Sequence, residues 1–215
     1  MNALLLATSL LAAPAQLDGV RVSVSAGAAA AASDSRPYHG DLEDIADGLG
    51  ATFRTSGSEH FVPVLSQAIW LPETSAEWRA GLRLTERYWR YWAEMRSGTI
   101  PASSHRIDRS VVAVDAMFEL LFGKLDLNHP GRFVLSGGPA VYWYGTRERG
   151  WLGASESVDT TVGARGALGG RFGYRGALVL EATIDFVPVP HTTTMLADGG
   201  RITFFAIGLR GELWL

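Results

Sequence analysis

No cysteine occurs in this chain of 215 residues, so disulfides and thiolate metal sites are excluded. Lysine is nearly absent: Lys124 is the only one, and arginine carries the rest of the positive charge. With Lys+Arg 19 against Asp+Glu 22 the formal charge is -3, which gives no general basis for binding nucleic acid. No run approaches the roughly 20 apolar residues that a spanning helix needs, although 47% of the residues are hydrophobic. There is no linker, low-complexity tract or second domain. The five histidines include no pair at a ligand spacing such as H-x-x-x-H, so neither a metal nor another cofactor is expected.

The amino-terminal MNALLLATSLLAAPAQ holds an apolar run over 3–13 followed by Ala13-Pro14-Ala15, an A-x-A cleavage pattern. Residues 1–15 therefore read as a signal peptide and 16–215 as the mature domain, although the leader contains no Lys or Arg.

Beyond residue 16 the dominant period is two. Alternation marks strands over 20–27, 78–85, 111–122, 158–165, 177–186 and 201–215, with weaker candidates over 60–70 and the glycine-rich 133–144, eight in all. Connections alternate in length. Those at 33–59, 96–108, 146–157 and 188–200 are long, whereas 71–75, 128–131 and 170–173 are tight. This is the pattern of an all-β, up-and-down antiparallel transmembrane β-barrel of eight strands with a polar interior. Residues 41–49 (DLEDIADGL) suit a short helix in the first loop.

Side-chain size assigns the faces. An eight-stranded barrel is narrow, and the charged face also holds small residues such as Ser23, Ser25, Gly27, Gly81, Gly163 and Gly208. That face carries Arg21, Arg79, Arg83, Arg87, Arg165, Arg175 and Arg210, with Asp115, Glu119, Asp159, Glu181, Asp185 and Glu212. Near-balanced opposite charges on neighbouring strands predict a paired network in the lumen. The bulky apolar residues then face lipid. Trp78 to Tyr88 and Phe133 to Trp143 are ten residues apart, roughly 25 Å along a membrane normal at the usual tilt. Trp70, Trp78, Tyr88, Trp89, Tyr91, Trp92, Tyr142, Trp143, Tyr144 and Trp214 are expected to form the two aromatic girdles.

With this leader, loop alternation and final strand, the mature chain resembles the small eight-stranded outer-membrane β-barrel proteins of Gram-negative bacteria. In that family the last strand resembles a recognition signal, alternating hydrophobics that end on an aromatic. Phe205, Ile207, Leu209, Leu213 and Leu215 fit the alternation, but the last residue is leucine and Trp214 comes one position early. The resemblance implies a cell-envelope location in the bacterial outer membrane, contact with its lipid and lipopolysaccharide, and insertion machinery as a partner through the C-terminal strand. It implies a porin-like monomer without cofactor, in a non-enzymatic structural or surface-interaction role.

Two other readings are open. A lipid-A-modifying barrel enzyme needs a serine, histidine and acid brought together. His60 with Ser58 and Glu59, His105 with Ser103, Ser104 and Asp108, and His191 with Thr192 to Thr194 supply the residue types but no motif. A soluble lipocalin-like barrel would hold an apolar ligand inside and turn the arginines outward. The first loop, with Arg36, Tyr38, His39, Asp41, Glu43, Asp44 and Asp47, reads as a polar, solvated segment. Arg90, Arg96, Arg106 and Arg109 could meet lipid A phosphates near the second loop.

Overall fold

Period-two alternation dictates extended chain, and strands dominate the computed structural model. It describes residues 19–32, 38, 41–57, 61–72, 78–98, 104–123, 131–151, 153–173, 176–190 and 201–215. Its strands are β1 (Arg21–Ala32), β2 (Thr52–Gly57), β3 (Val62–Trp70), β4 (Trp78–Arg96), β5 (Ser104–Phe122), β6 (Gly131–Gly150), β7 (Ser155–Phe172), β8 (Gly176–Pro188) and β9 (Arg201–Trp214). One helix, α1 (Leu42–Gly48), lies between β1 and β2. The predicted leader over 1–15 lies outside the described residues, as does the connection over 191–200.

From β4 to β9 each strand pairs antiparallel with the next, and β9 returns to pair with β1. β1 also pairs with β3. β4 meets β3 along Gly81–Arg87 and β2 along Tyr91–Arg96, so β2 and β3 share one position in the ring. The nine strands therefore make an eight-position, closed up-and-down barrel. Seam pairs such as Ala26 with Gly211 leave no open edge, and the Leu215 amide donates to the Val22 carbonyl at 2.9 Å.

Three connections differ from expectation. Residues 52–57, read as loop, are strand β2 against the top of β4. The connections over 96–108 and 146–157 are shorter than expected, because β5 begins at Ser104, β6 runs to Gly150 and β7 starts at Ser155. Alternation fades in these segments because charged residues stand on both faces, as with Arg106 and Asp108 outward and His105 and Arg109 inward on β5.

The faces segregate by chemistry. Phe133 is 72% exposed, Ile207 66% and Leu180 47%, all on the outside, whereas Arg83, Asp115 and Glu181 are buried inside. Register aligns Trp78 with Phe122 and Phe133 at one end, and Tyr88 with Val112 and Trp143 at the other. The apolar band between them is roughly 25 Å high, the span of an outer-membrane-type barrel. The chain is a transmembrane barrel. The lipocalin-like reading is overturned, because Leu178, Leu180 and Leu209 are exposed on the outer face and Arg210 is buried.

Leu180→Arg introduces a cation on the lipid face of β8. It should cost about 2–4 kcal/mol if the site lies at the midplane, measured by urea unfolding in lipid vesicles. No measurable loss would reverse the face assignment.

Candidate functional site: the charged lumen and its rim

Spacings of four residues put charge at repeated heights on one strand face. Arg79, Arg83 and Arg87 on β4, Asp115 and Glu119 on β5, and Glu181 and Asp185 on β8 all point inward and are buried. They assemble into two rungs. In the first, Arg83 contacts Glu181 and lies 2.9 Å from Glu119, while Arg210 lies 2.9 Å from Glu181 and 3.5 Å from Glu119. Serines take two further donors: Arg210 donates to Ser25 at 3.1 Å and Arg83 to Ser136 at 3.2 Å. In the second rung, Arg87 sits 3.2 Å from Asp115 and 2.7 Å from Asp185. Arg165 sits 3.1 Å from Asp115 and 3.9 Å from Asp185. Each rung joins two arginines to two carboxylates, so the charges cancel where desolvating either sign alone would cost several kcal/mol per ion. Glycine makes room: a Cβ on Gly27 would lie 2.7 Å from that of Arg210.

The turn end is closed by stacked rings. Trp70 and Trp214 lie 5.4 Å apart with planes 12° from parallel, and Trp70 Nε1 donates to Ser23 at 2.9 Å. The Arg171 guanidinium lies 4.6 Å from the Trp214 ring and that of Arg79 5.1 Å; Arg171 also pairs with Glu212 at 3.0 Å.

The loop end is closed by a second cluster. Tyr38, buried, stacks on Tyr91 at 5.2 Å and accepts from Trp89 Nε1 at 3.2 Å. Leu42 and Ala46, four apart on α1, bury the same helix face in the cluster that also holds Met95, Ile107 and Phe204. Tyr38 and one face of α1 therefore plug the mouth, while Asp41, Asp44 and Asp47 are exposed as a solvated loop requires; Arg36 and His39 lie outside the described residues. Between these closures, two hollows beside the rungs measure about 20 and 10 Å³, scarcely room for a water each.

The girdle set needs correcting. Trp70, Trp89, Tyr91, Tyr142 and Tyr144 are fully or almost fully buried in the lumen, and Trp214 is half-buried there. Consecutive strand residues face opposite ways, so Tyr88-Trp89-Arg90-Tyr91-Trp92 cannot all meet lipid. Trp78, Tyr88, Trp92 and Trp143 remain on the outer face. Within the charged set, Arg21 is exposed at the turn end, 5.9 Å from the Trp214 ring. Asp159 is half-buried above the rungs and accepts from Ser157 at 2.9 Å, and Arg175 lies outside the described residues. Arg109, expected near lipid phosphates, is buried inward and donates to the Pro190 carbonyl at 3.4 Å. Arg109, Arg132, Arg171, His105 and Glu148 are inward groups that strand assignment missed. Extending the alternation from Arg165 to Arg171, or from Asp115 back to Arg109, would have found two of them.

On the outside, above Tyr88 and Trp143, Arg90, Arg96, Arg106, Arg147 and Arg149 form a rim. Asp108, Glu94 and Glu156 pair with Arg106, Arg96 and Arg147 at 2.7, 2.9 and 2.7 Å. The Arg106 guanidinium lies 4.7 Å from the Trp92 ring. Among the described residues no cluster of His, Asp and Glu could hold a metal. His60, His129 and His191 lie outside the described residues; His105, the histidine that is described, is buried on the loop side of the girdle. Ser155 donates to Glu148 at 3.0 Å, and neither His105 ring nitrogen has a hydrogen-bond partner.

Removing one carboxylate should expose the dependence of the rungs on pairing. Asp115→Ala leaves Arg87 and Arg165 with Asp185 as their one shared carboxylate and should cost about 3–5 kcal/mol, with Arg165→Met on top restoring part of it in a double-mutant cycle. A loss under about 1 kcal/mol would mean that water holds these arginines. Burial keeps the His105 pKa below its ordinary value, with the Glu148 charge acting the other way. The unfolded chain then binds more protons as pH falls through roughly 6.5, so stability falls with it. Protease nicking at the loop end should rise between about pH 7 and 5, and His105→Met should flatten that rise.

No family model matches the chain, and no curated protein matches it in sequence. Solved structures do align with it. Ail, the attachment invasion locus protein of Yersinia pestis, is 11% identical over 90% of this chain and 98% of that chain, at a TM-score of 0.45. The outer membrane protein OprG from Pseudomonas aeruginosa is 8% identical over 91% and 94%, at 0.42. Neisserial surface protein A is 16% identical over 89% and 96%, at 0.37. At scores this low the fold rests on the strand register of this chain itself, which is that of an eight-position transmembrane β-barrel.

Proposed function

We propose that the chain is a non-enzymatic β-barrel of the bacterial outer membrane with a structural or surface-interaction role, its arginine rim turned to lipopolysaccharide. The observation that carries this reading is the filled lumen. Two neutral rungs and two aromatic closures occupy the space where a pore or a substrate pocket would lie. Interaction is then left to the outer rim and loops. Arg90, Arg147 and Arg149 sit just beyond the Tyr88 and Trp143 girdle, where headgroup phosphates lie, and arginine suits phosphate through its planar fork of donors. β9 turns Phe205, Ile207, Leu209, Leu213 and Leu215 outward, the alternating segment that would be offered to the insertion machinery. A closed edge needs no second copy, which favours a monomer.

The mature chain, refolded in lipid, should show a heat-dependent shift in electrophoretic mobility, protease resistance in liposomes and no conductance steps in planar bilayers. Replacing Arg90, Arg147 and Arg149 with Gln should remove roughly 1 kcal/mol of attraction to an anionic surface for each arginine. The readout is the extra thermal stability that phosphate-bearing lipid A gives over phosphatidylcholine. Equal stabilisation of variant and wild type would remove the rim from the reading, and conductance steps would remove the closed lumen.

A further inference from the structure

Between the girdles the outer face is apolar except in one place. Among the described residues its only carboxylate is Glu86 on β4, and its only carboxamide is Gln67 on β3. Register makes them diagonal neighbours, with Glu86 opposite Leu65 and Gln67 opposite Leu84, a separation of roughly 7 Å that long side chains bridge. Glu86 is half-buried and has no ion-pair partner among the described residues. An open groove of about 420 Å³ lies beside the pair, lined by Val24, Ala26, Leu65, Leu84 and the two polar residues themselves. A carboxylate in hydrocarbon is expensive unless something meets it, which marks such a position as a site.

We infer that this groove seats one acyl chain of an outer-leaflet glycolipid, a chain carrying a hydroxyl a few carbons below its head. Three observations select that occupant. The first is the groove's size and apolar lining, which fall in the range of small-molecule sites. The second is hydrogen-bond complementarity. A carboxylate only accepts, so a hydroxyl can donate to Glu86. A plain hydrocarbon chain offers no such bond, and a phosphate would be repelled by Glu86. The third is depth. Glu86 lies two positions inside Tyr88, roughly 5 Å below the headgroups at the usual strand rise and tilt. Arg90, two positions beyond Tyr88 on the same strand and face, stands above it at phosphate level. A second copy docked about a two-fold axis would set hollow against hollow. The inference rests on the membrane orientation proposed above.

The test compares two neutral lipids, 1-(3-hydroxytetradecanoyl)glycerol and 1-tetradecanoylglycerol, added to the full mature chain refolded in detergent micelles. Retention is read by native mass spectrometry and by the thermal midpoint of the mobility shift. The wild type should hold the hydroxylated lipid roughly tenfold more tightly, the worth of a hydrogen bond to a charged group. Glu86→Leu with Gln67→Leu removes two polar groups from the lipid face, so it should keep the mobility shift while losing the discrimination. Equal retention of the two lipids by folded wild type would overturn the groove assignment alone. So would a Leu65→Cys variant that oxidises to a dimer in vesicles, which would give the groove to a second copy. Absence of any mobility shift in the wild type would overturn the membrane reading and the groove with it.

Discussion

Hydrocarbon offers no hydrogen bond to an open backbone edge, and the seam between β1 and β9 is what removes that edge. The two are the first and last strands among the described residues, so β9 is part of the barrel wall. Once the seam forms, every side chain on a spanning strand has two environments, lipid or lumen, and period two assigns them. The outer band, the lumen rungs and both closures follow from that division.

The narrow lumen constrains charge more strongly than shape. Eight strand positions leave an interior just wide enough for side chains, so each ion must find its counter-ion across the barrel rather than in water. Arg83 on β4 reaches Glu181 on β8, and Arg210 on β9 reaches Glu119 on β5. These contacts tie opposite walls together, and the Ser136 and Ser25 hydroxyls each accept one further guanidinium donor. Arginine suits this role better than lysine, because one guanidinium can hold two carboxylates at once.

Much of this was legible before the coordinates. Arg79, Arg83 and Arg87 alternate onto one face of β4, Asp115 and Glu119 onto one face of β5, and counting strong and weak strands gives eight positions. What was not legible has physical causes. Aromatic clusters drew attention as units, yet Tyr88 and Trp89 must part company, one to lipid and one to the lumen. Arg109, Arg171 and Glu148 lie where strands outrun the bilayer, and beyond it the outer face no longer has to be apolar. The docking of Tyr38 and α1 into the mouth joins residues about fifty apart in sequence, through packing that no local pattern encodes.

The cancellation of charge within each rung has a further consequence. A membrane potential does work only on charge that moves through it, roughly 2.3 kcal/mol per elementary charge per 100 mV. Arginines and carboxylates locked as neutral sets give the field nothing to grip. The middle of this lumen is thus polar and carries no net charge, even though arginine is the cation in both rungs.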